Sequence, residues 1–269
     1  MERRFVKIEK GLGPQGRIAV VRFDRGDNIN ALSQQAMREL RDVPRDFEDD
    51  LETTVVILTG SAKAFSAGFD LKDPEGRQRD QLSIGERIHR QRLGPRLCKA
   101  WEQMDQVTIA AIEGHCIGGG AALVVALDFR TCGRSAHFRI PEVELGMNMS
   151  WGSIPRMLAL MGPARTKQAV ILASDRVSAA DALAWGLVET VVDDGKAFEA
   201  AMAFAERIAR QPPIPVRMTK TTVNRFAQAL SDLGSHMDSA ENVLTGFTED
   251  YREGTSAFRE KRKPAFKGR

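Results

Sequence analysis

The residues best suited to chemistry lie in two glycine-containing segments, each of which follows a predicted buried strand. The first covers residues 60–72, and the second covers residues 109–123 and contains Gly118, Gly119 and Gly120 in a row. Glycines let another group approach the backbone closely, and amides at the start of a helix carry a partial positive charge. Two such amides that point at one atom would form an oxyanion hole, which stabilises negative charge on a reacting oxygen. The alternative is that these glycines only permit tight turns.

Other patterns that can carry chemistry are weaker. Residues 11–16 match GxGxxG, but a strand follows this segment instead of preceding it, so a hairpin turn is the favoured interpretation. There is no GxSxG and no GxxxxGK[ST]. The four histidines, His89, His115, His137 and His236, lack metal-ligand spacing, and we predict no metal site. Of these, His115 stays a candidate because it lies just before the glycine run.

The strands that precede the glycine segments belong to an alternation of strands and helices, which predicts an α/β fold. Short apolar and β-branched runs predict strands over residues 17–23, 53–59, 108–113, 129–132, 136–140 and 187–192. Helices are predicted from Ser33 to about residue 49, with a kink or split at Pro44, and over residues 83–104 and 121–127. Residues 60–68 are predicted to form a loop, and residues 72–80 an exposed and mobile stretch.

The C-terminal part of the chain has a different pattern. Strand signals stop near residue 197, and two or three helices are predicted beyond it, interrupted by the prolines of residues 212–215. We therefore divide the chain into a core domain over residues 1–205 and a C-terminal helical region over residues 206–269.

The composition is that of a globular protein, with 269 residues, of which 42% are hydrophobic and 28% charged. A formal charge of +3 is too balanced for a polyanion binder, so we expect no nucleic-acid partner. Cys98, Cys116 and Cys132 form no CxxC pair, which favours a reducing compartment. The chain starts without an apolar signal region and has no run of about 18 apolar residues. We therefore expect a cytoplasmic protein that does not bind or span membranes.

Three blocks resemble, in order and spacing, the signature of the crotonase superfamily, the enoyl-CoA hydratases and isomerases. They are residues 64–72 (AFSAGFDLK), 118–120 (GGG) and 140–146 (IPEVELG), and residues 253–267 also resemble that family's C-terminus. The resemblance implies a crotonase-like spiral of ββα turns over residues 1–205, with the acyl-CoA site in it. It also implies that the C-terminal helices drive self-association to a trimer or hexamer. Coenzyme A is expected as part of the thioester substrate, with no tightly bound cofactor.

The resemblance also implies a role for individual residues. The backbone amides of Phe69 and Gly119 would be the two oxyanion donors. Lys267, in the basic tail, would lie near the CoA phosphates, including those of an adjacent subunit, and the alternative is a solvated charged helix. The substrate-binding residues implied in this way are Ala67, Gly68, Phe69, Asp70, Leu71, Lys72, Gly118, Gly119, Trp151 and Lys267.

One position departs from the hydratase pattern of this family. Hydratases use two glutamates to hold the water, and the corresponding positions are Ala122 and Glu142. An alanine cannot hold or deprotonate water. A single glutamate at the second position is what the family's isomerases use, where it takes a proton from C2 and returns it to C4. Such a glutamate needs a raised pKa, which apolar neighbours provide. We therefore predict that Glu142 is the acid/base and that isomerisation is better supported than hydration.

Several alternatives remain open beside this interpretation. Dienoyl isomerases carry a further acid where this chain has Ser150, which disfavours that reaction. Glu144 would point the same way as Glu142 only in an extended segment, and a surface carboxylate is the favoured interpretation. The chain could be a catalytically idle acyl-CoA binding protein, as Ala122 suggests. It could also catalyse decarboxylation, dehalogenation or C–C cleavage, with His89 or His115 supplying the extra group.

Overall fold

The strands of the protein form two sheets in the computed structural model, which describes residues 3–77, 82–173 and 175–269. The described strands are β1 (Val6–Leu12), β2 (Ile18–Phe23), β3 (Val55–Thr59), β4 (Ala64–Ser66), β5 (Val107–Ile112), β6 (His115–Ile117), β7 (Phe129–Gly133), β8 (His137–Arg139), β9 (Val177–Ser178) and β10 (Thr190–Val192). The larger sheet has the order β1-β2-β3-β5-β7-β10, and the smaller one the order β4-β6-β8-β9. From β3 to β8 the chain therefore alternates between the two sheets, which produces the predicted spiral of ββα turns.

Helices connect these strands and make up the C-terminal part. The described helices are α1 (Gln34–Asp42), α2 (Pro74–Arg77), α3 (Ile84–Gln91), α4 (Leu93–Glu102), α5 (Gly119–Val124), α6 (Ser153–Ile171), α7 (Ala179–Trp185), α8 (Ala197–Ala209), α9 (Pro213–Ala227), α10 (Ser231–Ser235), α11 (Asp238–Thr245) and α12 (Glu249–Glu260). Short 3₁₀ turns cover Pro14–Gly16, Val43–Phe47 and Val143–Leu145.

The larger sheet is buried on both faces because its central strands are continuous apolar runs. All five residues of β3 and all six of β5 are buried. On one face, Ile57 and Ile109 pack with Ala201 and Ala205 of α8. On the opposite face, Val56 belongs to a larger apolar cluster that includes α1 and α4. From β2 to β10 the neighbouring strands of this sheet are parallel.

Three local predictions in the first third of the chain are confirmed. The GxGxxG-like segment is the turn of an antiparallel hairpin between β1 and β2, in which Val6 pairs with Phe23. Ser33 caps α1, and its hydroxyl accepts a hydrogen bond from the Ala36 N–H at 3.2 Å. The predicted helix splits near Pro44, because α1 ends at Asp42 and a 3₁₀ turn follows.

The segment after β3 differs from its prediction. Residues 60–68 were expected to be a loop, but β4 lies within them and pairs with β6. These short strands contain no long β-branched run, so their sequence carries little strand signal. The prediction of exposure for residues 72–80 is wrong for Asp73, which is buried and accepts the Gln34 N–H at 2.6 Å. Residues 78–80 of that stretch lie outside the described residues.

The C-terminal part contains more helices than predicted. From residue 197 onward the structure has five helices, α8 to α12, where two or three were expected. The prolines of residues 212–215 separate α8 from α9, and Pro213 occupies the first position of α9, where its missing N–H costs nothing. The predicted boundary at residues 205/206 falls inside α8, and the division into two regions stays a prediction.

The C-terminal helices pack back onto the core. Contacts join α10 to α6, α11 to α3, and α12 to the 3₁₀ turn Val143–Leu145. At this last contact a Cβ on Gly254 would lie 2.7 Å from the backbone of Leu145, so the glycine permits the close approach. Over the described ranges, no helix is both long and apolar enough to cross a membrane.

Candidate functional site

The two glycine segments named above lie in direct contact. Gly68 has a φ of +83°, which favours glycine, and a Cβ at this position would lie 2.6 Å from the Ile117 carbonyl oxygen. The same Cβ would lie 3.3 Å from the Gly119 nitrogen. The backbone before Phe69 and the start of α5 therefore approach each other as closely as a glycine allows.

The first of these segments is held by a short ladder of backbone hydrogen bonds with residues 29–32. The Ala67 N–H donates to the Ile29 carbonyl at 2.8 Å, and the Leu32 N–H donates to the Gly68 carbonyl at 2.7 Å. The Asp70 N–H in turn donates to the Leu32 carbonyl at 3.1 Å. Within the described residues the Phe69 N–H has no acceptor, so it is available to bind another group.

The second segment presents an amide of the same kind at the start of α5. Gly118 has a φ of +49° and is the residue before the helix, and its N–H donates to the Arg139 carbonyl at 2.8 Å. Gly119 is the first residue of α5, where the helix itself supplies no acceptor for the N–H. No other described residue accepts that N–H. The Gly119 amide is therefore also available.

Glu142 lies beside this second segment. A Cβ on Gly118 would be 2.7 Å from Glu142 Oε1, so the carboxyl group lies against the turn that precedes α5. Its other oxygen, Oε2, is buried and has no hydrogen-bond partner among the described residues. Burial raises the pKa of Glu142 to about 7, against the lowering effects of its own backbone N–H and of Arg139. The carboxyl group can therefore both accept and donate a proton near neutral pH.

This burial should be visible in the stability of the protein. The folded state binds the Glu142 proton more tightly than the unfolded chain, so stability is lost as the pH rises from about 4.5 to about 7. We expect Glu142→Gln to raise the free energy of unfolding at pH 8 by up to about 3 kcal/mol, with no gain at pH 4. Denaturant unfolding at the two pH values measures this. Glu144→Gln is the control, and an equal gain in both variants would contradict the assignment.

Glu144 serves a different purpose from Glu142. The segment that follows Glu142 is a 3₁₀ turn, and Glu144 forms an ion pair with Arg139. The interpretation of Glu144 as a surface carboxylate is consistent with this pairing. Ser150 accepts a hydrogen bond from Ser153 through its backbone carbonyl, and it carries no acid.

Two residues that the sequence did not single out hold the first segment in place. Asn30 is buried, has a φ of +52°, and its amide nitrogen donates to the carbonyls of Phe23 at 2.7 Å and Phe65 at 2.9 Å. Arg25 pairs with Asp70 at 2.7 Å and also donates to the Ala31 carbonyl at 2.9 Å. The Asp70 carboxylate is thus engaged within the protein, and its contact with substrate stays a prediction. Only the tolerance of asparagine for positive φ could have indicated Asn30.

The other predicted binding residues of the first segment lie on its outer side. Phe69, Leu71 and Lys72 are exposed, and Ala67 is half-buried. The Lys72 N–H donates to Asp70 Oδ1 at 2.9 Å, which turns the chain toward α2. Two exposed apolar side chains, Phe69 and Leu71, thus belong to the segment that carries the Phe69 amide.

Trp151 lies against the second segment, and its role in binding substrate stays a prediction. A Cβ on Gly119 would be 2.7 Å from the Trp151 ring at Cη2. Trp151 has a φ of +65°, a conformation that costs a non-glycine residue about 1–2 kcal/mol. Ala122, one helical turn after Gly119, is buried and provides no carboxylate. Of the two positions at which the family pattern has a glutamate, the described structure thus carries a carboxyl group only at Glu142, beside the turn that precedes α5.

Two further candidates are not brought into this group by their contacts. The Lys267 ammonium lies 4.0 Å from Glu249, and the Lys267 N–H donates to Asp250, so the tail packs on α12 of its own chain. The His115 ring lies 5.7 Å from the ring of His137 on the neighbouring strand. Burial lowers the pKa of His137. In the described ranges, no group of three or more His, Cys, Asp or Glu could hold a metal ion.

Comparisons with known proteins agree with this architecture. A family model described as Enoyl-CoA hydratase/isomerase matches residues 13–269. The short-chain-enoyl-CoA hydratase of Clostridium acetobutylicum is 32% identical over 271 residues, covering 100% of both chains. The crotonyl-CoA hydratase of Syntrophomonas wolfei is 32% identical over 256 residues, covering 95% of this chain and 96% of that protein.

Solved structures show the same fold. An enoyl-CoA hydratase from Bacillus anthracis matches with a TM-score of 0.76 and 32% identity, covering 99% of this chain and 100% of that one. A carnitinyl-CoA hydratase from Mycobacterium avium matches with a TM-score of 0.80 and 29% identity, covering 100% of both chains. The predicted crotonase-like fold is therefore confirmed, whereas trimerisation through the C-terminal helices stays a prediction.

Proposed function

The chain belongs to the enoyl-CoA hydratase/isomerase family, and we propose that its site stabilises the enolate of an enoyl-CoA while Glu142 moves a proton at C2. The observation that carries this proposal is the unpartnered, buried Oε2 of Glu142 beside the start of α5. A buried carboxyl oxygen without a partner loses solvation, which is tolerated where a substrate group will meet it. The protein is accordingly an enzyme of this family that acts on a CoA thioester.

The amides of Phe69 and Gly119 supply the electrostatic part of the proposal. Removing a proton from C2 pushes negative charge onto the thioester oxygen. Two preorganised N–H groups that bind this oxygen stabilise the charge, and in comparable sites one such donor contributes about 3–4 kcal/mol. The contact between Gly68 and Gly119 supports a shared target for the two amides.

Double-bond isomerisation is the reaction that one carboxyl group supports on its own. Glu142 would take a proton from C2 of a 3-enoyl-CoA and return it to C4, so that the double bond moves to C2–C3. A pKa of about 7 suits a group that must both accept and release a proton. No water and no second carboxylate is needed for this step.

Hydration of a 2-enoyl-CoA is the second candidate. It is favoured by the names of the relatives, which are hydratases at 32% identity. In the family pattern the water is held by two glutamates, and here the first position is the buried Ala122. Glu142 alone would have to orient and deprotonate the water, so we expect hydration to be the slower reaction.

A direct assay distinguishes the candidates. The purified protein is given 3-enoyl-CoA and 2-enoyl-CoA in parallel, and the products are separated by chromatography. We expect isomerisation of the first to exceed hydration of the second. Fast hydration that survives Glu142→Gln would overturn the role of Glu142. Tight binding of acyl-CoA without turnover of either substrate would favour the idle binding protein.

Lys267 is proposed to bind the CoA phosphates. It is exposed, and its distance of 4.0 Å from Glu249 leaves the ammonium free to rearrange. We expect Lys267→Ala to raise KM about two- to fivefold, the effect of an exposed ion pair, with kcat unchanged. KM for the CoA ester is compared with KM for the matching pantetheine ester, which lacks the nucleotide. An equal effect on both esters, or the same effect of Lys263→Ala, would favour the solvated-tail alternative.

Self-association is proposed through α9. Lys220 fixes one face of this helix to the core through a buried ion pair with Asp128 at 2.7 Å. Large apolar side chains of α9 are exposed: Ile214, Met218, Val223 and Phe226. An apolar face of this kind marks an interaction surface. It fits a second copy of the chain, as the resemblance implies.

Substitution of the most exposed of these side chains tests this surface. Phe226 is 81% exposed. We expect Phe226→Glu to shift the mass measured by light scattering from a trimer or hexamer toward the 29.7 kDa of one chain, because the charge would be buried in the interface. Phe226→Leu keeps the face apolar and should leave the assembly intact. An unchanged assembly in Phe226→Glu would remove α9 from the interface.

A further inference from the structure

The indole of Trp151 is inserted between α4 and α5. A Cβ on Gly94 of α4 would overlap Trp151 Cε2, and a Cβ on Gly119 of α5 would lie 2.7 Å from Cη2. Leu32 also lies beside Gly119, because the same Cβ on Gly119 would be 3.3 Å from Leu32 Cδ1. Two glycines, one on each helix, therefore provide the space that the ring fills.

The ring is held in this space by its backbone. Trp151 has a φ of +65°, which a bulky residue adopts only when the surroundings enforce it. Its carbonyl accepts a hydrogen bond from Arg156 at 2.8 Å, and Arg156 forms a buried ion pair with Glu102 of α4 at 2.6 Å. The next residue, Gly152, donates its N–H to Asp238 of α11 at 2.7 Å. Hydrogen bonds to the Trp151 carbonyl and to the next N–H thus fix the backbone that carries the indole.

Ala122 also lies where α4 and α5 meet. The Cys98 thiol of α4 donates to the Ala122 carbonyl at 3.5 Å, so the two helices also touch here. Gly94 and Cys98 are four residues apart on α4, and Gly119 and Ala122 are three apart on α5, so each pair shares a helix face. Helical side chains lean toward the N-terminus of their helix. A long side chain at position 122 would therefore lean over Gly119, where the ring lies.

We propose that Trp151 determines reaction specificity by filling the volume in which a carboxylate at position 122 and its water would stand. This inference rests on the proposed function and deepens it. Hydration bonds the water oxygen to C3 and places a proton on C2, which requires a water held beside C3. An indole in that volume excludes the water, so a 2-enoyl-CoA is not hydrated, whereas the dienolate that a 3-enoyl-CoA forms by losing its C2 proton to Glu142 receives that proton at C4.

Four forms of the enzyme test this proposal: the wild type, Ala122→Glu, Trp151→Gly and the double variant. Glycine is chosen at position 151 because it adopts a φ of +65° without strain. Each form receives 3-enoyl-CoA and 2-enoyl-CoA, and the ratio of 3-hydroxyacyl-CoA formation to isomer formation is measured. We expect this ratio to be about tenfold or more higher in the double variant than in either single variant, because only there can a second carboxylate hold water.

A second measurement remains informative if activity is lost. Overpacking of the introduced glutamate side chain against the indole should lower the Tm of Ala122→Glu by about 3 °C or more, and Trp151→Gly should remove most of this effect. Trp185→Ala is the control for indole loss, since Trp185 stacks on Arg165 at 5.0 Å, and its product ratio should equal that of the wild type.

The results of these experiments show whether the role of Trp151 or the proposed function fails. A hydration ratio in Ala122→Glu as high as in the double variant, with no Tm coupling, would overturn the role of Trp151 while isomerisation by the wild type stands. Absence of both reactions in the wild type, combined with clear Tm coupling between positions 122 and 151, would overturn the proposed function but retain the steric competition.

Discussion

Glu142→Gln should lower kcat for 3-enoyl-CoA by about 10²- to 10⁴-fold, the range that a positioned acid/base contributes. Glutamine has nearly the same shape as the buried carboxyl group but cannot carry the proton from C2 to C4. Steady-state kinetics measures the effect, and circular dichroism confirms that the variant is folded. A loss smaller than about tenfold would mean that another group transfers the proton.

The role of Glu142 as the base also predicts how the activity of the wild type depends on pH. Glu142 must be ionised to accept the proton from C2, so kcat/KM should rise with pH and level off above a midpoint of about 7. Glu144→Gln is the matched control, because Glu144 is two residues away and pairs with Arg139. This variant should keep the midpoint. A midpoint near the ordinary glutamate value, or a flat profile between pH 5 and 9, would contradict the burial of the base.

Gly68→Ala should lower kcat/KM by about 10²- to 10³-fold, the effect of losing one oxyanion donor. A Cβ at this position would meet the Ile117 carbonyl oxygen at 2.6 Å and lie 3.3 Å from the Gly119 nitrogen. The backbone must shift to relieve this overlap, and the Phe69 amide moves with it. In the proposed site the two amides would then no longer point at one atom.

Gly26→Ala is the matched control for this variant. Gly26 has a φ of +75°, close to that of Gly68, but no atom lies within 4 Å of its added Cβ. Both variants should therefore lose stability from backbone strain, which thermal unfolding measures, whereas only Gly68→Ala should lose activity. Equal losses of activity in the two variants would show that strain, and not the contact with Gly119, limits catalysis.

The sequence predicts the larger sheet and the first helix well, because their signals are local. The strands β3 and β5 are continuous apolar runs, and Ser33 and Pro44 mark the start and the split of the first helix through side-chain and ring chemistry. The short strands β4 and β6 are different. They are stabilised by pairing with each other, and a strand of three residues is too short to show a periodic pattern of apolar residues.

The C-terminal helices show a second limit of sequence patterning. The breaks between α9, α10 and α11 lack the prolines that separate α8 from α9, so the pattern predicts too few helices. Helix α6 was not predicted at all, since Gly162 and Pro163 interrupt its periodicity. In the folded chain its packing against α7 and α10 compensates for the interruption.

The candidate site could be predicted where the family blocks mark it and not where distant contacts build it. Gly119 and Glu142 were found from their blocks, and the structure places both beside the start of α5. Asn30 reaches a carbonyl 35 residues away, and Arg25 pairs with a carboxylate 45 residues away. Such contacts leave no trace in local spacing. The same holds for the fit of Trp151 against Gly94, 57 positions earlier in the chain.

In the proposed reaction, one buried carboxyl group moves a proton within a bound enolate. A 3-enoyl-CoA with deuterium at both C2 positions tests it most directly, with the label in the product located by mass spectrometry and NMR at early conversion. We expect 2-enoyl-CoA that carries deuterium at C4, because Glu142 Oε2 is buried and returns the label before it exchanges with water. A product with only protium at C4 from the first turnovers, or 3-hydroxyacyl-CoA as the main product, would contradict the claim.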